Sequence, residues 1–393
     1  MVGVVAPATP LQWETGSSQK RYTMKKTYKY KIQSQKNTVK LGNMLDDLHS
    51  IHVHIMRLQK RYYRMFGRNI SAYTMNAHIA KLKKRTKPHW KHLPSQVVQD
   101  VVLRMGKAYD AFFRSMKDRK AKKTTKKVGR PHIKPQHKYT SMTFTQAGYK
   151  LEGNRIKINC IDRWFSFHKH REIIGDIKTI TIKRDGCGDY WICFSCDNVN
   201  TPKSFVKTGE SAGFDFGMKT FLTTSDGDKI VSPQFLKKSL NKLRTLNKSL
   251  SRKTKFSGNW YRAKRALSRR YRKIARQRTD WHWKLATDLC RRFDTLCFET
   301  LNIGGMKRLW GRKVSDLAFY QFIQLLEFKC AKHDKTFLKI GQWTTTTKPC
   351  SNCGHTNDNL TLSDRQWICP TCKTEHDRDI NAAINIKQAG LAA

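Results

Sequence analysis

Two Cys-x-x-Cys pairs near residue 360 restrict the folding of this chain more than any other feature. The first pair is Cys350 and Cys353, and the second is Cys369 and Cys372, with fifteen residues between the pairs. Each pair can offer two thiolates to one ion from a tight turn, and two pairs complete a tetrahedron. Four thiolates leave no open position for water, so we expect a structural Zn²⁺ site that forms a zinc ribbon.

Four acidic residues form the second notable pattern. Asp377 and Asp379 follow Cys372 within seven residues and lead into a run of small residues. Asp215 and Glu299 each lie in or just after an apolar segment of a chain with few acids. An aspartate between two phenylalanines is costly to bury unless it binds a cation. These carboxylates are therefore candidate metal ligands, the alternative being that they are ordinary turn and cap residues.

The order of the elements around these acids fits an RNase H-like sheet. A three-strand meander, whose first strand carries Asp215, and basic helices precede a strand that ends at Glu299. A helix from about 315, capped by Ser315 and Asp316, then a strand and a helix with Asp379 complete the order. In such sheets parallel strands and a helix bring three carboxylates together, and these hold two Mg²⁺ about 3.5–4 Å apart.

The net charge indicates the partner. The chain has 78 Lys and Arg against 29 Asp and Glu, a formal net charge of +49. Repulsion of that size opposes a compact state unless a polyanion neutralises it, and nucleic acid is the usual polyanion. A histone-like or ribosomal protein is the alternative, but with 393 residues, 10 Trp and 13 Tyr this chain is longer and richer in aromatics than most of these.

No long apolar run or secretory signal pattern occurs, so we expect neither a membrane span nor a membrane partner. The cysteines outside the two pairs suit a reducing compartment, and we predict a cytoplasmic, nucleoid-associated prokaryotic protein.

Periodicity divides the rest of the chain. Residues 28–32 alternate as a strand, residues 38–125 are helical, and residues 139–197 change to the period of short strands that form a small barrel or sheet. The charge run at 117–138 is either a solvated linker or a basic arm that follows a nucleic-acid backbone. Residues 234–294 predict a helical hairpin with a one-signed basic face, which favours contact with phosphates. The residues that we expect to contact nucleic acid are Lys83, Lys84, Arg85, Arg262, Arg265, Arg269, Arg270 and Arg276.

Three segments carry a family resemblance: GFDFGMKTFLTTSDG, CFETLNIGGM, and the cysteine stretch that ends in DRDINAAINI. Together they resemble the three RuvC segments and the zinc knuckle of TnpB, a protein of small bacterial and archaeal insertion sequences. The resemblance extends from about residue 22 to the end of the chain. TnpB proteins are RNA-guided DNA endonucleases related to type V CRISPR effectors and to Fanzor.

The resemblance implies a multidomain α+β architecture: a wedge β-barrel with an inserted helical recognition lobe, and an RNase H-like RuvC α/β domain with an inserted zinc ribbon. It implies these parts: a disordered tail at 1–21; the wedge at 22–37 and 138–205; the recognition lobe with its basic linker at 38–137; RuvC at 206–349, including the hairpin at 234–294; the zinc ribbon at 350–372; and the third RuvC segment at 373–393.

The resemblance also implies roles for the acids. Asp215 matches the first-segment aspartate, Glu299 the second-segment glutamate and Asp379 the third acid, with Asp377 as the second choice for that position. Two departures occur. Thr344–Thr347 replace a common Pro-Ser-Ser, and Lys373 replaces the glycine that commonly follows the fourth cysteine, but neither removes a ligand or an acid.

The implied function is RNA-guided cleavage of double-stranded DNA by one RuvC site. A guide RNA from the transposon end would sit on the basic lobes, the protein would read a short target-adjacent motif, and base pairing would read the rest, as in Cas9-type effectors. Two catalytic Mg²⁺, one structural Zn²⁺ and a monomer with one RNA are expected. The alternatives are an RNA-guided repressor that does not cleave, a guide-free nuclease or transposase, and a compact type V CRISPR effector.

Overall fold

A computed structural model describes residues 24–33, 38–125, 127–145, 147–199, 205–361 and 363–392. The expected tail at 1–21 and parts of the segment at 22–37 lie outside these residues. The chain forms two compact units that divide between Thr201 and Pro202. Each has its own sheet and helices, so the protein is a mixed α/β multidomain protein.

The described residues of the first unit form three long helices and seven strands. They are β1 (Met24–Lys31), α1 (Thr38–Phe66), α2 (Ala72–Arg85), α3 (Ser95–Lys120), β2 (Ser141–Phe144), β3 (Tyr149–Glu152), β4 (Arg155–Ile158), β5 (Ile161–Ser166), β6 (Asp176–Arg184) and β7 (Tyr190–Val199).

The strands of this unit form two antiparallel sheets. One has the order β1-β7-β6-β2, the other has the order β3-β4-β5, and a bridge between Ile32 and Phe167 links them. Alternation on β1 buries Tyr28 and Tyr30 completely, as the period of two predicts. The apolar stripes of α1 and α3 join the same core, so sheet and helices share one hydrophobic interior.

The prediction of a closed barrel was wrong. Closure would need pairing between the edge strands β2 and β3, and among the described residues no such pairing occurs. The connection between these strands instead contacts α3. The side-chain oxygen of Gln96 accepts a hydrogen bond from the backbone N–H of Ala147 at 2.9 Å, and Gly148 turns the chain with φ +94°. A backbone N–H of the β2–β3 connection thus bonds to a side chain of α3, and β2 and β3 remain unpaired edge strands.

The second unit holds the acids and the cysteines. Its elements are β8 (Ser211–Asp215), β9 (Leu222–Thr224), β10 (Lys229–Ile230), α4 (Leu240–Ser251), α5 (Gly258–Arg292), β11 (Thr295–Phe298), α6 (Ile303–Leu317), α7 (Phe319–Lys332), β12 (Thr336–Lys339), β13 (Gln366–Ile368), β14 (Glu375–Asp377) and α8 (Arg378–Leu391).

Five of these strands form one sheet with the order β10-β9-β8-β11-β12. The strands β8, β11 and β12 run parallel, while β9 and β10 form an antiparallel meander. The central strands are apolar on both faces because helices cover parallel strands on both sides. Phe214 and Phe298 are fully buried neighbours with ring centroids 4.7 Å apart.

One predicted helix start was wrong. The helix expected from about residue 315 begins at Phe319, because Ala318 takes the left-handed conformation with φ 52° and separates α6 from α7. Asp316 does not cap that helix. Its carboxylate accepts hydrogen bonds from the backbone N–H groups of Leu236 and Lys237 at 2.9 and 3.0 Å, so it fixes the chain that leads into α4.

Two glycines let α8 lie directly on the sheet. A Cβ at Gly213 on β8 would stand 2.0 Å from the carbonyl oxygen of Ala383, and one at Gly390 would stand 2.7 Å from the Sγ of Cys297. Real Cβ atoms do not approach other atoms this closely. The absence of both side chains therefore allows the middle and the C-terminal end of α8 to lie against β8 and β11.

We expect Gly213→Ala to destabilise the second unit by about 1–3 kcal/mol or more, because the methyl group must displace the backbone of α8. A shift of the urea unfolding midpoint measures the loss. Gly258→Ala is the matched control, since a Cβ there meets nothing within 4 Å. Equal midpoints for both variants would contradict the close contact between α8 and β8.

Candidate metal centres

The strand register brings two of the predicted acids together. Phe214 on β8 pairs with Phe298 on β11 in a parallel register, so the next residues, Asp215 and Glu299, follow at the same edge of the sheet. Asp379 lies in the first turn of α8, whose contact with β8 brings it to the same place. Three carboxylates from distant parts of the sequence therefore converge where the central strands end.

Electrostatics show that the three acids influence one another. Burial, together with the charges of Glu299 and Asp379, raises the pKa of Asp215 to about 8, although the charge of Arg378 opposes the rise. Burial also raises the pKa of Glu299. A carboxylate surrounded by protein and by two like charges ionises readily only beside added positive charge. This all-oxygen donor set suits a hard divalent cation such as Mg²⁺.

Two arginines that the sequence analysis did not single out contact the third acid. Arg365, half-exposed and just before β13, has Nη1 at 3.3 Å from both carboxylate oxygens of Asp379. Arg378 pairs with the same carboxylate at 3.4 Å and donates to the carbonyl oxygen of Thr361. The adjacency of Arg378 and Asp379 was the one available sequence signal, whereas the contact of Arg365 depends on the folded ribbon.

Asp377 has a different environment from Asp379. Its side chain caps α8 by accepting from the backbone N–H groups of Asp379 and Ile380 at 3.1 Å, and Lys229 pairs with it at 2.6 Å. Burial alone would raise its pKa, but the hydrogen bond from Lys229 and the cap bonds give a net lowering. Its carboxylate is thus occupied by structural contacts.

The four paired cysteines come together as their spacing predicts. Among the described residues they are the only group of three or more His, Cys, Asp and Glu whose ligand atoms all lie within 4.8 Å of one another. Cys350 and Cys372, like Cys353 and Cys369, have sulfurs 3.6 Å apart. Four thiolates in this arrangement suit a structural zinc ion.

Each knuckle is a tight turn with a left-handed residue. The backbone N–H of Gly354 donates to Cys350 and that of Lys373 donates to Cys369, at 2.9 and 3.0 Å. Gly354 has φ 78°, and Lys373 has φ 60°. Lys373 therefore adopts the conformation that suits the glycine common at this position in the family it resembles, at a steric cost.

Side chains of α8 and β14 connect the ribbon directly to the acids. His376 directly precedes Asp377 in the sequence. Its Nε2 lies 3.0 Å from the Sγ of Cys350. Asn381 accepts from the N–H of Ser351 and donates to Pro349, and Asn385 donates to Pro349, all at 2.8 Å. The spacing of four between the asparagines places them on one helix face, a signal that the sequence analysis overlooked.

The predicted basic residues have different surroundings. On α5, Arg262, Arg265, Arg269 and Arg276 share one face by helical spacing, while Arg270 lies off that face and bonds to Ser239 at 3.0 Å. In the first unit Lys84 and Arg85 are exposed at the end of α2.

Lys83, next to this exposed pair, donates to the carbonyl of Leu93 at 3.1 Å, and burial lowers its pKa. Its ammonium group thus has a structural partner within the first unit.

No helix in the described parts of the chain is long and apolar enough to cross a bilayer.

Comparison with known proteins gives two family matches. Residues 194–309 match the family model OrfB_IS605, described as "Probable transposase", and residues 319–386 match "Cas12f1-like, TNB domain". The first match contains Asp215 and Glu299, and the second contains the four paired cysteines and Asp379.

Two curated relatives extend these matches. A "Putative RNA-guided DNA endonuclease" of Streptomyces pristinaespiralis is 34% identical over 217 residues, which are 55% of this chain and 53% of the relative. The aligned part thus spans about half of that protein. "Putative RNA-guided DNA endonuclease InsQ" of Escherichia coli is 27% identical over 339 residues, 81% of this chain and 80% of the relative.

A solved structure shares the fold. "Cryo-EM structure of the Cas12f1-sgRNA-target DNA complex" contains a chain that matches with a TM-score of 0.56 and 14% identity, covering 93% of this chain and 99% of that one. At this identity the likeness concerns the fold alone.

Proposed function

Because this chain belongs to the TnpB family, we propose that it is an RNA-guided endonuclease that cuts double-stranded DNA. The guide RNA comes from the transposon end, and the cut lies next to a short target-adjacent motif. The convergence of Asp215, Glu299 and Asp379 carries this proposal. A protein that only binds DNA has no need to hold three repelling carboxylates at one edge of a sheet.

In this proposal the three acids are the ligands of two Mg²⁺. When bound, such ions activate water and stabilise the leaving oxygen of a phosphodiester. Asp215 and Glu299 hold fixed positions because each directly follows a buried residue of a parallel strand. Asp379 is oriented by Arg378, and Arg365 is exposed enough for its guanidinium to pair with a substrate phosphate.

We assign the parts of the chain accordingly. The parallel-antiparallel sheet order of the second unit supports an RNase H-like RuvC domain at 206–349 and 373–393, with the basic hairpin at 234–294 and a structural zinc ribbon at 350–372. The first unit supplies the recognition lobe and an open, two-sheet wedge. The net charge of +49 supports one guide RNA bound by a monomer.

The experiment that tests this function is purification of the protein from cells that carry its native flanking DNA. We expect a discrete RNA to co-purify, with a part that matches the transposon flank, because the basic surfaces need a polyanion. Sequencing identifies the RNA, and programmed cleavage of a plasmid that matches the guide measures the activity.

A purification of the same protein without the flanking DNA is the control, and it should yield no discrete guide. If cutting proceeds equally without RNA, the guide-free nuclease is correct and the proposal is wrong. If a guided complex binds DNA and leaves it intact in the presence of Mg²⁺, the repressor alternative is correct.

A further inference from the structure

The connection between α4 and α5 holds a phenylalanine in an unfavourable conformation. Phe256 has φ 70°, and 64% of its surface is exposed. A bulky residue in the left-handed region is strained, and glycine or asparagine would relieve the strain. Because the side chain of Phe256 is mostly exposed, burial of its apolar surface contributes little stability to offset this strain. Folding therefore gives no reason for a phenylalanine here, and such an outlier suggests a function.

Two more aromatic residues join Phe256 at this tip. The ring centroid of Trp260 lies 5.6 Å from that of Phe256 and 5.1 Å from that of Tyr261. Tyr261 is 44% exposed. Lysine ammonium groups approach these rings: Lys255 is 5.2 Å from the Phe256 centroid, and Lys264 is 4.7 Å from the Trp260 centroid.

A groove opens beside these rings. Its volume is about 570 Å³, and Trp260, Lys248, Lys253 and Lys255 are among the residues that line it. No acidic residue occurs between Asp228 and Asp280 in the sequence. The charged side chains of this tip are therefore all positive.

Aromatic faces beside lysines form the combination that binds unpaired nucleotides, because bases stack on the rings and phosphates contact the ammonium groups. We propose that this tip, residues 247–264, binds an unpaired nucleotide of the guide RNA, with its base stacked against Phe256 and Trp260. The proposal rests on the proposed function, since it names where that RNA is held.

Distance from the acids favours the guide RNA over the DNA strand that is cut. The helix α5 has 35 residues and is therefore about 50 Å long. The tip lies at its first turn, whereas its last turn leads into β11 and Glu299. A strand in the cleavage site would have to extend along the whole helix to reach the tip.

The binding test compares Phe256→Gly with Tyr320→Ala, which removes an aromatic side chain that is 61% exposed on α7. The probes are a 20-nucleotide uridine RNA and a fully paired RNA duplex, measured by fluorescence anisotropy with the full-length protein. Phe256→Gly should weaken binding of the uridine RNA roughly tenfold and leave duplex binding and the salt dependence unchanged, because it removes stacking and no charge. Tyr320→Ala should match the wild type.

Thermal unfolding separates binding from folding. Phe256→Gly should keep or raise the Tm because it relieves the left-handed strain, so weaker binding at an unchanged or higher Tm supports a contact with the base. Unchanged binding of the uridine RNA overturns the proposal. Failure of the wild type to bind either RNA instead contradicts the proposed function.

Crosslinking tests the occupant in the intact complex. Protein purified with its RNA from cells supplied with 4-thiouridine is irradiated, digested and analysed by mass spectrometry. We expect a crosslinked peptide that includes Phe256–Tyr261. A complex that crosslinks elsewhere and not at this peptide overturns the assignment, even where the proposed function holds.

Discussion

Asp215→Asn should lower the rate of guided DNA cleavage by about a thousandfold or more, while the protein still binds RNA. The substitution keeps the shape of the side chain but removes the buried charge that we assign to metal binding. Metal stabilisation of a phosphodiester transition state contributes several kcal/mol, and each 1.4 kcal/mol is tenfold in rate. Single-turnover cleavage with a saturating guide measures the loss, and undiminished cutting would refute the assignment.

The same variant gives a stability readout that a merely structural aspartate would not. Because the pKa of Asp215 is about 8 in the folded protein and 3.8 for an ordinary aspartate, the folded state binds the proton more tightly. Without divalent cations, stability should therefore fall as the pH rises from about 4 to 8. Asp215→Asn should remove that part of the slope and should not lower the Tm near pH 8.

The neighbouring acids provide the matched comparison. Asp379→Asn should behave like Asp215→Asn in cleavage. Asp377→Asn should retain most of the cleavage activity, because asparagine also caps helices. If Asp377→Asn loses activity and Asp379→Asn keeps it, the assignments of the third ligand are reversed.

Removal of zinc should unfold residues 350–372 and stop cleavage. The ribbon has a very small apolar core, formed by Trp367 together with Cys350 and Cys369, so its folding depends on the ion. Structural zinc sites contribute about 10–16 kcal/mol of apparent binding energy in small domains. Loss of the ribbon also removes the contact of Ser351 with Asn381 and displaces the adjacent Pro349, whose carbonyl accepts from Asn381 and Asn385.

Cys369→Ser tests whether the zinc ribbon is needed for cleavage, without the use of a chelator that would also bind Mg²⁺. Metal analysis should show the loss of one zinc per chain, and hydrogen exchange should show lost protection in the ribbon. Cys160→Ser is the control, because Cys160 belongs to the first unit and is not one of the four clustered cysteines. A zinc-free variant that cuts at the wild-type rate would contradict the coupling between the ribbon and the acids.

The features that local spacing determines could be predicted from the sequence. The two knuckles depend on residues three apart, and Tyr28 and Tyr30 follow the period of a strand, so both were expected. The site contacts of Arg365 and His376 could not be read in the same way. Each meets a partner that only tertiary packing brings near, and neither residue type in isolation indicates a contact.

The two fold errors have the same origin. The break between α6 and α7 arises at Ala318, which has no sequence preference for a left-handed turn, while Asp316 is used by a segment eighty residues earlier. The connection between the unpaired edge strands β2 and β3 bonds to Gln96, a residue some fifty positions away on α3. Sequence periodicity indicates which face of a helix or strand is buried. It does not indicate which hydrogen bonds that helix or strand makes with residues distant in the sequence.

The position of α8 has a consequence for biosynthesis. More than 160 residues separate Asp215 from Asp379, and the helix that carries Asp379 rests on a strand made far earlier. Domains fold as units from the N-terminal side during translation. The first unit can thus fold before the third acid has been polymerised, and under the proposed function it could already contact RNA at that stage. If Asp379 is the third metal ligand, as we propose, a nascent chain that lacks it cannot yet cut DNA.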